Sequence, residues 1–270
     1  MELEKFEKKT SISIGLTWAL ICIGVLAHGQ TEVKVVDLPT RSGVTQRIQV
    51  AMPAAPKAAV ILLAGGHGGL QISQDGVLKW GSGNFLIRSR QLFADRGIAV
   101  AVIDAPSDRQ VPPYLNGFRQ TPEHVLDIKA VIAWLREQTK LSVWLVATSR
   151  GTQSAAYAAT ELQGNGGPDG IVLTSTILSD RSSRAVPAME LAKLRIPVLV
   201  VHHEQDGCAL CRYSDTAGLM EKLVNTPRKQ LLTFAGGNNK GDPCEAFAYH
   251  GFNGLEVDVV AQTVNWMLAK

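Results

Sequence analysis

The sequence has little net charge, few charged residues and few aromatic ones. Charged residues make up 19% of the chain and aromatic residues 6%, and 27 basic against 24 acidic side chains leave a net charge of +3. No basic run with interleaved aromatic residues occurs, so we expect no nucleic-acid partner. The 25 glycines follow no fixed period and the chain contains no internal repeat, which excludes collagen-like and solenoid architectures. With 46% hydrophobic residues among 270, the chain can instead bury the core of a globular domain.

The sequence also lacks an apolar run long enough to span a bilayer comfortably. The longest uncharged run, residues 12–27, follows three lysines and ends in Ala27-His28-Gly29, with small residues at the positions that a signal peptidase requires. A membrane span needs about 20 such residues. We predict a secretory signal peptide over 1–29 and a single domain over 30–270, which is secreted or periplasmic without stable membrane association after cleavage. An uncleaved N-terminal anchor is the alternative.

Short apolar runs alternate with segments of helical period from residue 34 onward. Such runs are typical of strands buried on both faces of a parallel sheet, with helices in the crossovers. The pattern predicts an α/β fold with a mostly parallel central sheet and helices on both faces. The predicted strands are 58–64, 98–104, 143–148, 170–176, 197–202 and 230–234, with a strand or hairpin at the sheet edge within 33–50. The predicted helices are 84–96, 122–139, 151–162, 188–194, 216–224 and 257–268.

Two of the connecting segments bear on a binding site. Residues 105–121 are rich in proline and polar residues, so we expect a long surface loop that overhangs a pocket. The segment between strands 170–176 and 197–202 is only about twenty residues long. It leaves no room for a separate helical lid, which favours an open site and small or water-soluble substrates.

The motif that most clearly indicates a catalytic residue is Ala147-Thr148-Ser149-Arg150-Gly151, which lies between a predicted strand and a predicted alanine-rich helix. A serine at such a turn sits on a strained backbone with its hydroxyl exposed above the sheet. Small residues on either side, here Ala147 and Gly151, let the strand and the helix approach closely. We predict that Ser149 is a nucleophile, with a plain Ser-Arg-Gly turn as the alternative.

An acid and a base follow this serine in the chain. A serine hydroxyl is a weak nucleophile, so it needs a base, and the base needs an acid that fixes its tautomer. Asp206 follows predicted strand 197–202, and His250 precedes the last predicted helix. We predict that Asp206 is the orienting acid and His250 the base.

Other residues compete for these roles. Asp180 follows an earlier predicted strand and is the alternative acid. His202 and His203 lie at a strand end, where packing roles are more common than catalytic ones, and His67 lies in a glycine-rich loop where it could line the pocket. The guanidinium of Arg150, beside the serine, could attract an anionic substrate.

Taken together, these motifs resemble the α/β-hydrolase superfamily, in particular its serine esterases, lipases and dienelactone hydrolases without a large lid. The matching segments are ATSRG at the turn, HHEQDG after the penultimate strand, YHGF before the last helix and AGGHGG after the first apolar strand. The resemblance covers nearly all of residues 33–270. It implies a Ser149 nucleophile, and an oxyanion hole made by the backbone N–H groups of Arg150, Gly66 and His67.

The resemblance implies a serine hydrolase that cleaves a carboxylic ester or related acyl bond through an acyl-enzyme. Its partner would be a small-molecule acyl substrate, and no metal or organic cofactor is required. A peptidase or amidase with the same triad is one alternative, because the machinery is shared. A non-catalytic binding protein that uses the same cleft is the other.

Three cysteines remain after removal of Cys22 with the predicted signal. A disulfide between Cys208 and Cys244 would tie the loop of the acid to the loop of the base, and export would make oxidation available. Pairing of Cys211 with Cys244, or of Cys208 with Cys211, stays open. A zinc site from these three and His250 satisfies ligand counting, but it would consume the predicted base.

Overall fold

The computed structural model of the chain describes residue 1 and residues 32–269. The predicted signal peptide and its cleavage site lie outside the described residues, apart from Met1. The division into residues 1–29 and 30–270 stays a prediction. Within the part of the chain that the structure describes, no helix is both long enough and apolar enough to cross a membrane.

Eight strands form one sheet in the order β1-β2-β4-β3-β5-β6-β7-β8. The first two strands form an antiparallel hairpin at one edge, β2 is also antiparallel to β4, and all other neighbours are parallel. This confirms the predicted mostly parallel sheet with an edge hairpin. The strands are β1 Val33–Arg41, β2 Val44–Ala51, β3 Ala58–Leu63, β4 Ile98–Ile103, β5 Val143–Thr148, β6 Gly170–Thr174, β7 Val198–His203 and β8 Lys229–Phe234.

Helices cover both faces of the sheet, as predicted. They are α1 Phe85–Arg88, α2 Arg90–Ala94, α3 Pro122–Thr139, α4 Gly151–Leu162, α5 Thr216–Lys222 and α6 Glu256–Leu268. In β3, alternate residues belong to two separate core clusters: Ile61 lies in the cluster with α3, α4 and α5, and Val60 in the cluster with α1, α2 and α6. Because successive side chains of a strand point to opposite faces, this alternation places three helices on each side.

The structure corrects two of the predicted helices. The segment 84–96 is two short helices that meet at Ser89, which caps α1 at φ −92° and ψ 0° and precedes α2. The segment 188–194 is not an α-helix: two 3-10 turns, Val186–Ala188 and Leu191–Lys193, flank an extended Met189. A seven-residue helix is marginal by itself, so the burial of Met189 and Leu191 decides the local backbone.

The two connecting segments follow expectation. Residues 105–121 carry one 3-10 turn, Ser107–Arg109, and otherwise form a loop. Between β6 and β7 the chain forms only the two 3-10 turns just described, so no helical lid is inserted there. The loops at the carboxyl ends of the central strands, which carry the candidate site, are therefore not covered by a lid inserted between β6 and β7.

Candidate active site

Ser149 lies at the turn between β5 and α4 with a backbone φ of +51°. A non-glycine residue in this left-handed region is strained, and here its own N–H is held by the carbonyl of Thr174 at 3.0 Å. Gly151 lies where a Cβ would come within 2.3 Å of the Leu63 carbonyl oxygen. The residue at this position must be glycine because helix α4 starts directly against the end of β3. The strand, strained turn and helix expected from the sequence are all present.

Asp206 and His250 are hydrogen-bonded to each other. Asp206 follows β7, and its Oδ2 lies 2.9 Å from His250 Nδ1, while its Oδ1 accepts the N–H of Cys208 at 2.9 Å. Both side chains are buried. His250 sits in a 3-10 turn before α6, and its carbonyl accepts the hydroxyl of Ser175 at 2.6 Å. The carboxylate therefore fixes the orientation of the imidazole and leaves the other ring nitrogen, Nε2, without a partner among the described residues.

Ser149 and His250 line one cavity of about 680 Å³ at the carboxyl end of the sheet. Its wall also includes apolar and aromatic side chains, with Trp80, Ile177 and Phe247 among them. Lys79 and Lys240 line it as well. A mixed wall of this kind, with a few convergent polar groups, is typical of a small-molecule site. The structure thus brings the predicted serine and base to a single cavity, while the predicted acid is bonded to the base and does not line that cavity.

The glycine-rich loop after β3 lies directly beside the serine. A Cβ at Gly65 would lie 2.9 Å from Ser149 Cβ, and Gly66 lines the same cavity, as does Arg150. Within the described residues, the backbone N–H groups of Gly66, His67 and Arg150 donate to no other protein group. Of these three predicted donors, His67 is the one that does not line the cavity. Free amides beside a nucleophile can stabilise an oxyanion.

The ring of His67 is held between two aromatic side chains. Its centroid lies 3.8 Å from that of Trp80 and 4.4 Å from that of Tyr114, and its Nδ1 accepts the N–H of Gly69 at 3.1 Å. Burial, together with the charge of Arg119, lowers the pKa of His67 and so favours the neutral ring. The stack fixes the loop next to Ser149, and the sequence reasoning did not identify either aromatic partner.

Two more residues that sequence reasoning missed hold the surrounding loops. The buried Arg119 donates from Nη2 to the carbonyls of Ala64 and Gly66, at 3.2 and 3.1 Å. The carboxylate of Asp104, at the end of β4, accepts four backbone N–H groups at 2.7 to 3.1 Å. Its donors are Leu70, Gln71, Ile72 and Ala105. Only the position of Asp104 after an apolar strand could have drawn attention to it.

The rival acid and bases are engaged elsewhere. Asp180 binds Arg150 Nη1 at 2.9 Å; burial would raise its pKa, but hydrogen bonds from Ser183 and Ser182 and the ion pair with Arg150 bring the pKa well below its usual range. The Nε2 of His202 accepts the N–H of Thr176, and burial lowers its pKa to about 4.

His203 has a packing role as well. Its Nε2 pairs with the carbonyl of Gly236 at 2.9 Å, and its ring stacks on Tyr249 at 4.4 Å between centroids. Neither His202 nor His203 lines the cavity that contains Ser149.

Cys208 and Cys244 form a disulfide, which confirms the preferred pairing. Cys211 is a buried free thiol, and burial raises its pKa. Ligand atoms of Cys208, Cys211 and His250 lie within 4.8 Å of one another. Because Cys208 and Cys244 are joined in the disulfide, only Cys211 and His250 remain of the four residues considered, too few for a zinc site.

No family model and no curated protein matches the sequence. Solved structures do match the fold. A dienelactone hydrolase from Anabaena variabilis is 14% identical over 88% of this chain and 98% of its own, with a TM-score of 0.61. An esterase from Pyrococcus furiosus is 14% identical over 88% and 92%, with a TM-score of 0.63. An α/β serine hydrolase without a lid from Xanthomonas campestris is 16% identical over 86% and 95%, with a TM-score of 0.54.

The sheet order, the helices on both faces and these similarities give one result: the chain has the α/β-hydrolase fold. The resemblance that the sequence motifs suggested is confirmed at the level of the fold. At such low identities, the chemistry has to be argued from this chain's own residues.

Proposed function

We propose that this protein is a serine hydrolase that cleaves a carboxylic ester or a related acyl bond. The observation that carries the proposal is the pairing of His250 Nδ1 with Asp206, which leaves Nε2 without a partner among the described residues, in a side chain that lines the same cavity as Ser149. The positive φ of Ser149 is the second support, because backbone strain of this kind is common at functional turns.

Each residue of the triad would have a separate task. Ser149 Oγ attacks the acyl carbonyl while His250 Nε2 takes its proton, and Asp206 stabilises the imidazolium that forms. The backbone N–H groups of Gly66, His67 and Arg150 would donate hydrogen bonds to the developing oxyanion. His250 then gives its proton to the leaving group, and water activated by the same nitrogen releases the acid from Ser149.

The cavity and the disulfide support finer parts of the proposal. Aromatic and aliphatic side chains such as Trp80, Ile177 and Phe247 offer an apolar surface to a small acyl group, and no helical lid lies between β6 and β7. The Cys208–Cys244 disulfide is compatible with a secreted or periplasmic protein, since such bonds persist in oxidising compartments.

The test is labelling of the mature protein with a fluorophosphonate probe, followed by peptide mass mapping. We expect label on Ser149 in the wild type and none in Ser149→Ala or His250→Ala. Asp206→Asn should retain the fold and lose roughly a thousandfold or more in labelling rate, because the imidazole loses its fixed tautomer. A folded wild type that takes up no label would refute the hydrolase proposal and leave the binding-protein alternative.

Hydrolysis of a matched panel of esters and amides then separates the two acyl chemistries. We expect turnover of short, water-soluble esters at rates that fall with Ser149→Ala. Turnover of the amides alone would replace the esterase proposal by a peptidase or amidase.

A further inference from the structure

A second cavity, of about 650 Å³, adjoins the candidate active site and has no assigned role. It shares only Arg150 with the cavity that contains Ser149. Three arginines line it, Arg119, Arg150 and Arg184, and the carboxylate of Asp180 lies directly behind the wall, bonded to Arg150. Polar side chains, Gln153 and Ser183 among them, complete it. Concave surfaces lined by one sign of charge concentrate ions of the opposite sign.

Arg119 is the unusual member of this wall, because it is only 5% exposed and has no carboxylate partner within residues 32–269. Its Nη1 donates to the hydroxyl of Ser154, its Nη2 donates to backbone carbonyls, and its Nε has no partner among the described residues. Burial, with Arg150 nearby, lowers the pKa of Arg119 to about 9, so the buried guanidinium still carries its charge at neutral pH. An uncompensated buried charge is costly, and an anion close to it would relieve that cost.

The charges around the cavity leave an excess of about two positive charges. Asp180 is the carboxylate bonded to Arg150, and it also accepts from Gln153 and Ser183. Arg184 forms no ion pair within the described residues and lies over the ring of Tyr157, 5.9 Å from its centroid. The exposed Glu190 also acts on Arg184 electrostatically, but it is itself paired with Lys193, so Asp180 is the carboxylate that compensates part of the charge of the three arginines.

We propose that this cavity is a binding site for a small oxyanion with two negative charges, a dicarboxylate or a phosphate. Guanidinium groups pair with both chemistries through forked N–H donors. The site is distinct from the cavity of Ser149. Arg119 also donates to the carbonyls of Ala64 and Gly66, so an anion bound to Arg119 would be connected through this side chain to the loop beside Ser149.

The test is isothermal titration calorimetry of the full mature chain in low-salt buffer, with succinate and inorganic phosphate as separate ligands. We expect saturable binding of at least one of them with one site per chain, and none of succinamide, which has the length of succinate without its charge. Arg184→Gln should weaken binding at least tenfold, since one of the three guanidinium groups is lost. If succinate binds more tightly than phosphate, the site favours a dicarboxylate, and the reverse order indicates a phosphate site.

Two variants serve as matched controls. Arg181→Gln removes the same charge from an exposed arginine three residues away that does not line the cavity, and Lys240→Gln removes a charge from the wall of the other cavity. Both should bind as the wild type does. Absence of binding in the wild type, or equal weakening in all three variants, would overturn the proposal. A loss confined to Lys240→Gln would place the anion beside Ser149 instead. The measurement reads binding and not turnover, so its failure is distinguishable from failure of the proposed hydrolase activity.

Discussion

At the scale of single residues, the loops around the candidate site are held by buried side chains whose partners lie far away in the sequence. Asp104 is the clearest case: its two carboxylate oxygens accept the N–H groups of Leu70, Gln71, Ile72 and Ala105. A neutral amide at this position has only one acceptor oxygen, and its NH2 group would face a backbone donor. The charge, not the shape, of Asp104 therefore stabilises this loop.

We expect Asp104→Asn to lower the free energy of unfolding by about 2 kcal/mol or more, because a buried donor loses its partner. Chemical denaturation at pH 7.5 measures the change. Asp95→Asn is the matched control, since Asp95 is exposed and accepts only from Gln91, and it should change stability by less than about 0.5 kcal/mol. Equal effects of the two substitutions would contradict the role of Asp104.

Some residues of the candidate site could be predicted from the sequence and others could not. Asp206 and His250 could be paired in advance because each lies in a short motif next to a strand or helix, and the parallel sheet brings those ends together. Arg119 and Trp80 could not be found in this way. Arg119 contacts Ala64 across 55 positions and Trp80 stacks on His67 from an irregular loop, so no local pattern marks either residue.

At the scale of elements, the start of helix α4 is fixed by its contact with the end of β3. A Cβ at Gly151 would meet two backbone carbonyls, those of Leu63 at 2.3 Å and Ala64 at 2.9 Å. Backbone atoms cannot rotate away as the end of a side chain can. Any side chain at this position must push the helix off the strand.

We expect Gly151→Ala to destabilise the protein by about 3 kcal/mol and to reduce labelling of Ser149, because the turn moves with the helix. Gly218→Ala provides the comparison: Gly218 lies in α5 with open space around its Cα, so alanine should stabilise by about 0.5 to 1 kcal/mol. Thermal unfolding of both variants measures the difference. A Gly151→Ala protein as stable and as reactive as the wild type would refute the close contact.

The elements themselves were largely predictable, with errors where local signals were weak. Continuous apolar runs located β3 to β7 to within two residues, because strands buried on both faces consist mainly of apolar residues. The helix predicted over 188–194 was wrong, since a short apolar pattern between Pro187 and Pro197 fits 3-10 turns equally well. Distant packing, absent from any local window, decided between them.

At the scale of the whole molecule, buried histidines make stability depend on pH. His124 and His202 are buried; burial, with Arg119 and Arg41 nearby, lowers the pKa of His124 to about 3, and burial lowers that of His202 to about 4. An unfolded histidine has a pKa near 6.5. Between these values the unfolded chain binds protons that the folded protein does not, so stability is lost as the pH falls below about 6.5.

We expect the free energy of unfolding to fall by roughly 2 kcal/mol per histidine between pH 7.5 and pH 5. In His124→Gln, whose amide can still pair with Ser154, the fall should be about half as large. Urea denaturation of both proteins at the two pH values measures this. An identical fall in the two proteins would show that His124 binds protons equally in the folded and unfolded states, which would contradict its lowered pKa.

The Cys208–Cys244 disulfide closes a covalent ring of chain that contains β8 and the exposed segment 235–243. A ring must be cut twice before a piece of it can leave. A protease that cuts once within that exposed segment therefore creates two new chain ends but releases no fragment, and the mass rises only by that of one water. The nicked molecule stays in one piece until a reductant opens the ring, and His250, which lies just beyond Cys244, stays tethered to the loop of Asp206.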